Sequence, residues 1–176
     1  MKYLALIICL LLIIPSKSSA QHCPFDGGRL IAVHLTDAKG NPVGKKTEKL
    51  SLVEVNNPAP DSCTYAEGPL KKNFEPTKSY LQNRYERYWD HWIEPDYKDW
   101  ILFNPGYYAI VLNQAETNCM IKKDGDFVYR PRQFEVQFQI DNQNQIVKVP
   151  ENKIYSLCTN NGSWKRIIPL EIKLEK

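Results

Sequence analysis

The sequence predicts a mainly β protein, an antiparallel β-sandwich of about seven strands with one inserted amphipathic helix. Most of the chain after residue 20 alternates apolar and polar residues with a period of two, and clusters of turn residues interrupt the alternation at short intervals. One segment, Tyr80–Trp100, departs from this pattern and carries seven aromatic residues. We therefore expect a single sandwich domain over residues 21–176, with an inserted segment at residues 56–99.

Residues 1–20 have the composition of a secretory signal peptide. Lys2 precedes an apolar run from Tyr3 to Ile14, and small residues lead to Ala20. We expect cleavage after about Ala20 and a mature protein that is secreted or periplasmic. The apolar run of about 12 residues is shorter than a membrane-spanning helix, and no later run reaches the necessary length, so no membrane insertion is predicted.

Net charge and cysteine content restrict the class of protein. Removal of residues 1–20 takes away two lysines and no acid, which lowers the formal net charge from +3 to +1 and gives no electrostatic basis for binding nucleic acid. The four remaining cysteines predict two disulfides, and their three possible pairings stay open. No two cysteines have the C-x-x-C spacing of a zinc site or a thioredoxin-like redox centre. They are Cys23, Cys63, Cys119 and Cys158.

The first two strands lie before the inserted segment. Arg29–Thr36 alternates two sets of side chains, and the turn Asp37–Pro42 follows it. A second strand runs from Leu50 to Val55 and ends at the pair Asn56-Asn57. His34 lies on the first strand among apolar neighbours, so we expect it to be a hydrogen-bonded or surface histidine.

The remaining strands follow the inserted segment. They are predicted at WILFN, YYAIVLN, FVYRPRQFEVQFQI, QIVKV, KIYSLC and WKRIIPLEIKL. Phe134, Val136 and Phe138 fall on one face, which indicates a strand with one side exposed to water. Pro169 indicates an edge position or a bulge for the last strand, because proline cannot donate to a sheet ladder.

Two turn motifs carry a family resemblance. The stretch LIAVHLTDAKGNPV and the later NPGYYAIVL resemble the prealbumin-like sandwich of carboxypeptidase regulatory-like and transthyretin-like domains. The resemblance covers about half of the mature chain, which differs by its inserted segment of about 45 residues. It implies a prealbumin-like fold, with an Ig-like sandwich as the alternative, and an accessory binding or structural module rather than an enzyme. The matching positions are Asp37, Gly40, Pro42, Pro105, Gly106 and Tyr108.

The spacing of the aromatic residues predicts a helix over Tyr80–Ile93. Ser79 and Gln82 have the spacing of a capping box, and Pro95 is expected to end the helix. At 100° per residue the apolar side chains collect on one face, which favours burial against the sandwich. That face consists of Leu81, Tyr85, Tyr88, Trp89, Trp92 and Ile93.

An exposed aromatic platform is the functional alternative to burial. Aromatic side chains of this segment could stack on sugar rings or grip a peptide, with nearby acids accepting hydrogen bonds, as in a carbohydrate-binding module. The candidate ligand-binding residues are Trp89, Trp92, Glu94, Asp96, Tyr97, Asp99 and Trp100.

Evidence for catalysis is weaker. Asp90 with Glu94, or Asp96 with Asp99, could form the paired carboxylates of a small secreted hydrolase acting on a glycan or peptide. The sequence lacks a nucleophile elbow, a phosphate loop and histidine spacings typical of metal sites, so no catalytic residue, metal or cofactor is predicted. Asn161 begins a glycosylation sequon. The sequence thus predicts an exported, non-enzymatic binding or structural module whose partner is an unknown protein or glycan.

Overall fold

The computed structural model describes most of the chain after residue 24. Within it, the side chains of Trp92, Glu94, Asp96, Met120, Lys122, Lys123 and Ile140 are not described. The predicted signal peptide, Cys23, Cys63, Asn161 and the first part of the inserted segment lie outside the described residues. The residues that the structure describes are 25, 27–43, 50–55, 69–140, 143–158 and 166–174.

The described chain is mainly β. Its strands are β1 (Arg29–Asp37), β2 (Ser51–Glu54), β3 (Lys71–Asn73), β4 (Glu75–Pro76), β5 (Tyr107–Leu112), β6 (Asn118–Lys123), β7 (Asp126–Pro131), β8 (Phe134–Ile140), β9 (Gln143–Val149), β10 (Tyr155–Ser156) and β11 (Leu170–Leu174). Its α-helical elements are α1 (Thr77–Arg84), α2 (Glu86–Tyr88), α3 (Glu94–Tyr97) and α4 (Gln114–Thr117). A π turn covers Trp89–Ile93, and 3-10 turns cover Ile101–Phe103 and Glu151–Lys153.

The strands form two larger sheets and a two-stranded ribbon. In the central sheet the order is β10, β1, β5, β4, and β11 also pairs with β1. The outer sheet has the order β3, β2, β8, β9, and the ribbon consists of β6 and β7. The predicted antiparallel pairing is confirmed with one exception, since β11 runs parallel to β1 with Leu170 opposite Val33. β11 pairs only with β1 in the described chain, which confirms the edge position indicated by Pro169.

The central and outer sheets pack face to face around a common core. β1 contributes Ile31 and Val33, and β8 contributes Phe134 and Val136, all of them buried. Phe138 is buried beside them, which confirms the inward face predicted for β8. This interface is the sandwich that the period of two indicated.

The opposite face of the central sheet is covered by the helical segment. Leu30 and Val111 lie opposite each other on this face, and they share a buried cluster with Leu81, Trp89 and Ile93. The central strands β1 and β5 are therefore buried on both faces, which explains why YYAIVL is a continuous apolar run rather than an alternating one.

The helical segment differs from the single predicted helix in its start and its regularity. It begins at Thr77, and Ser79 Oγ donates to the Pro76 carbonyl at 3.1 Å, so the predicted capping box with Gln82 does not form. The helix breaks at Tyr85, where φ is −124° and ψ is 32°.

The expected end of the helix at Pro95 is also wrong. Helical structure continues through Pro95, which lies in the first turn of α3. A proline is tolerated there because the amide hydrogen it lacks has no acceptor within the helix.

Other segments were predicted less well. WILFN forms a 3-10 turn, Ile101–Phe103, rather than a strand, and KIYSLC contributes only the two-residue strand Tyr155–Ser156. FVYRPRQFEVQFQI splits into β7 and β8, which belong to different sheets. The short strands β3 and β4 and the longer strand β6 were not predicted.

The two turns that carry the family resemblance lie against each other. The Gly106 carbonyl accepts the Leu35 N–H at 2.9 Å, and Tyr108 donates its hydroxyl to the Val43 carbonyl at 3.0 Å. Gly106 has a φ of +88°, and a Cβ built on it would lie only 2.7 Å from Pro42 Cβ. The glycine is therefore required both by its backbone conformation and by the close approach of the other turn.

We predict that Gly106→Ala costs about 3 kcal/mol of unfolding free energy, because it adds backbone strain and a steric clash. The matched variant is Gly40→Ala, since Gly40 has a φ of +84° but nothing within 4 Å of its built Cβ. It should cost about 1 kcal/mol from strain alone. Urea unfolding of both variants measures the difference, and equal losses would show that the contact with Pro42 is unimportant.

We also predict an acid-sensitive turn at Asp37. Its carboxylate accepts hydrogen bonds from the Asn41 side chain and from the backbone N–H groups of Asn41 and Lys39, and these hold the pKa of Asp37 below its ordinary value. The stabilisation is present above the ordinary pKa and is lost as pH falls through the lowered one. NMR titration should show Asn41→Ala returning the pKa of Asp37 toward normal, and an unchanged pKa would contradict this.

Candidate functional site

Two of the predicted ligand-binding aromatics are part of the core. Trp89 is 2% exposed and Trp100 is 8% exposed. Their rings lie 5.5 Å and 5.3 Å from the ring of Phe103. Neither can belong to an exposed platform. The burial of Trp89 agrees with the predicted apolar face of the helix, whereas Trp100 was predicted only as a ligand-binding residue, and that prediction is wrong.

Of the other predicted site residues, Tyr97 and Asp99 have described side chains, and neither lines the clefts at Tyr85 and at the start of α1. Tyr97 is half-buried with its ring 5.9 Å from Trp100, and Asp99 and Asp90 are exposed. The side chains of Trp92, Glu94 and Asp96 lie outside the description. Neither Asp90 nor Asp99 lines the clefts at Tyr85 and at the start of α1.

A cleft of about 510 Å³ opens instead at the break in the helical segment. One wall is the end of α1, the turn at Tyr85 and the start of α2, and the other consists of residues just before β1 and at the end of β5. The break makes the cleft possible, because a regular helix would not turn its backbone away from the sheet at this point. The lining residues are Phe25, Gly28, Asn83, Arg84, Tyr85, Glu86, Arg87, Tyr88, Leu112 and Asn113.

The floor of the cleft is aromatic and closely packed. The rings of Phe25 and Tyr85 meet edge to face with centroids 4.9 Å apart. A Cβ built on Gly28 would lie 2.8 Å from Val111 Cγ1 and 3.2 Å from the Tyr85 hydroxyl, so no larger residue fits there. The same close packing fixes the position of Tyr85 at the break.

Two arginines give the cleft a positive rim. The guanidinium carbons of Arg84 and Arg87 lie 5.9 Å and 5.8 Å from the ring centroids of Tyr85 and Tyr88. Neither arginine forms an ion pair with a carboxylate within the described ranges, and Glu86 is the only carboxylate among the lining residues. The rim therefore keeps an excess of positive charge.

Arg84 remains charged in this setting. Burial alone would lower the pKa of Arg84, but the hydrogen bond with Tyr85 and the charge of nearby groups, including Glu116, raise it above its ordinary value. Glu116 is itself paired with Lys72 and closes a capping box with Asn113, whose side chain accepts the Glu116 N–H at 2.9 Å. Arg84 and Arg87 are thus the groups at this rim whose positive charge no described ion pair balances.

A second cleft of about 380 Å³ lies at the start of α1. Tyr107 lines it and stacks on His34 with centroids 4.1 Å apart, while His34 Nδ1 lies 2.7 Å from Glu171 Oε2. Burial and then the charge of Glu171 raise the pKa of Tyr107. His34 is thus a hydrogen-bonded histidine, as predicted. This cleft has no carboxylate among its lining residues.

Cys119 is buried, and Cys158 is half-buried with its Sγ accepting the Gly27 N–H at 3.2 Å. The pairing of the four cysteines stays a prediction.

Comparison with protein-family models, curated proteins and solved structures finds no match for this chain. The described residues contain no group of three or more His, Cys, Asp or Glu side chains placed to hold a metal ion. None of the helices that the structure describes has both the length and the apolar character to cross a membrane.

We predict that Trp89 and Trp100 are shielded from solvent. A Trp92→Phe, Trp164→Phe variant leaves these two as the sole tryptophans, and because both are buried their emission should be blue-shifted and weakly quenched by acrylamide. Unfolding in urea provides the control, since quenching should then rise to that of a free indole. Strong quenching in the folded state would restore the exposed-platform hypothesis.

Proposed function

We propose that the protein is an exported, non-enzymatic binding module whose cleft at the helix break holds a ligand carrying a carboxylate group. The observation that carries this proposal is the pair Arg84 and Arg87, which line one cleft without a carboxylate partner in the described chain.

The chemistry of the rim favours a carboxylate. A guanidinium presents its N–H donors in a planar fork that matches the two oxygens of a carboxylate. Arg84 ends α1 and Arg87 lies in α2, one on each side of the break at Tyr85, and both line the same cleft. The half-buried ring of Tyr88 gives the ligand an apolar surface beside the charge.

The break at Tyr85 supports a binding role. Irregular helical turns are common at functional sites, because they aim groups that a regular helix would point elsewhere. Here the segment is irregular twice within a few residues, at Tyr85 and in the π turn Trp89–Ile93, and the cleft opens at the first of these points.

The hydrolase alternative gains no support from the two clefts. Glycoside hydrolysis needs two carboxylates across the scissile bond, whereas the residues lining both clefts include one carboxylate, Glu86. The carbohydrate-binding alternative loses Trp89 and Trp100, which are buried.

Export rests on the signal-peptide pattern of residues 1–20 and on the four cysteines that follow it. The turn motifs around Pro42 and Gly106, which resemble those of prealbumin-like accessory domains, are consistent with a binding module.

We predict that an Arg84→Ala, Arg87→Ala variant binds carboxylate ligands at least about tenfold more weakly, because the loss of charge-assisted hydrogen bonds costs more than about 1.4 kcal/mol. Calorimetric titration with oligogalacturonate, with an oligoglutamate peptide and with inorganic phosphate measures the effect and separates glycan, peptide and phosphate ligands. Arg166→Ala is the matched control, since Arg166 is exposed and does not line the cleft.

Arg84→Lys adds a second test, because it keeps the charge and loses the fork. It should bind more weakly than the unaltered protein and more tightly than the double variant. Equal binding of uncharged oligogalactose, or binding that the double variant leaves unchanged, would contradict the proposal.

A further inference from the structure

The β6–β7 ribbon has an open edge at β7 in the described chain. Its strands pair only with each other in the described chain, with Lys123 opposite Asp126 across the turn. Asp124 and Gly125 form that turn with φ values of 52° and 94°, the left-handed conformation of a two-residue hairpin. A two-stranded hairpin is marginally stable in water by itself, so a further strand on its edge would stabilise it.

The apolar side chains of β7 are exposed to solvent. Phe127 is 65% exposed, Val128 44% and Tyr129 68%. Consecutive residues of a strand point to opposite faces, so both faces of the ribbon carry exposed apolar surface. Phe127 and Tyr129 share one face, and two large exposed aromatic side chains side by side indicate a contact with another molecule.

The turn determines which backbone groups of β7 are unpaired. The residues that flank a two-residue turn exchange both hydrogen bonds, and the pairing then alternates along the ladder. Asp126, Val128 and Arg130 therefore direct their N–H and C=O groups toward β6. Phe127 and Tyr129 direct theirs away from β6, toward the open edge.

The sequence of β7 is complementary to itself. If a second copy of the strand runs antiparallel and centres on Val128, then Phe127 lies opposite Tyr129 of the other copy, and Asp126 lies opposite Arg130. The outward N–H and C=O groups of Phe127 and Tyr129 then form four hydrogen bonds across the two-fold axis. Neither Asp126 nor Arg130 has an ion-pair partner among the described residues, so both charges are available for the contact.

We propose that two copies of this chain pair through the open edge of β7, which joins their ribbons into one four-stranded antiparallel sheet with two-fold symmetry. One face of the joined strands carries the four aromatic rings of Phe127 and Tyr129, and the other carries Val128 and two Asp126–Arg130 pairs. Opposite charges and aromatic pairs in these cross-strand positions are stabilising.

The edge of β9 in the outer sheet lacks this complementarity. If two copies of β9 pair antiparallel and centre on the exposed residue Ile146, Lys148 lies opposite Asn144 of the other copy. The lysine then has no acid opposite it. Lysine on an edge strand is a common protection against pairing. The observations therefore favour β7 over β9.

The contact area sets the expected strength of the dimer. One strand pair of about five residues buries less than the roughly 1,200 Å² of a standard stable interface. The dimer is accordingly weak, and its fraction depends on protein concentration.

Sedimentation velocity of the purified protein over a range of concentrations tests the proposal. The unaltered protein should shift from monomer to dimer as its concentration rises. Asp126→Arg places two arginines opposite each other at both contacts, and Arg130→Asp places two aspartates there, so each variant should dimerise at least about tenfold more weakly. An equimolar mixture of the two variants should recover the dimer, because every contact then joins an arginine to an aspartate.

Two controls separate pairing from folding. Circular dichroism should be unchanged in both charge variants, and a combined Asp126→Arg, Arg130→Asp chain should dimerise like the unaltered protein. Ile146→Lys on β9 should leave the dimer intact. A protein that stays monomeric at all concentrations, a dimer that both charge variants retain, or a mixture that fails to recover the dimer would overturn the proposal.

Discussion

The rest of the structure depends on the burial of β1 and β5 on both faces. Ile31 and Val33 pack toward the outer sheet, while Leu30 and Ala32 pack toward the helical segment. Ala32 lies opposite Ala109 on the helical side, and the small size of this pair leaves room for large side chains such as Trp89. The aromatic residues of the helical segment therefore form the third layer of the structure. Without them, one face of β1 and β5 would be exposed to water.

The irregular course of the helical segment follows from the same constraint. Residues four apart in a regular α-helix are rotated by about 40° relative to each other, so an apolar row at that spacing drifts away from a flat sheet. Leu81, Tyr85, Trp89 and Ile93 have this spacing and are all buried. The break at Tyr85 and the wider π turn at Trp89–Ile93 correct the drift. The cleft at Tyr85 is thus a geometric result of covering the sheet, and the arginines beside it give that opening a charge.

The sequence predicted the features that depend on a buried face. The alternation of apolar and polar residues identified β8, because Phe134, Val136 and Phe138 all reach the core. The spacing of the aromatic residues identified the helical segment, because that segment packs along one face of the central sheet. Only β7 of the ribbon was predicted, within FVYRPRQFEVQFQI, although Asp124-Gly125 is a strong hairpin signal. Its partner β6 was missed because Cys119 is the only buried side chain that the structure describes in the ribbon, so burial does not impose alternation there. The end of the helix was misplaced because the rule for a residue before proline is a local preference, and packing of Ile93 and Trp100 outweighs it. The cleft lined by Arg84 and Arg87 lies at the break at Tyr85. The spacing of apolar residues is unchanged across this break, so the sequence did not predict the cleft.

The proposed binding surface and the surface that covers the central sheet belong to the same helical segment. The aromatic side chains of Thr77–Tyr97 pack against the central sheet, so most of them are not available to a ligand. Groups available to a ligand must then come from the polar side and from the points where the helix is irregular. Arg84 and Arg87 meet both conditions, which is why the cleft is a better candidate than the tryptophans. The β6–β7 ribbon contributes no described side chain to either hydrophobic core, so the proposed pairing of its edge does not use the side chains that cover the central sheet.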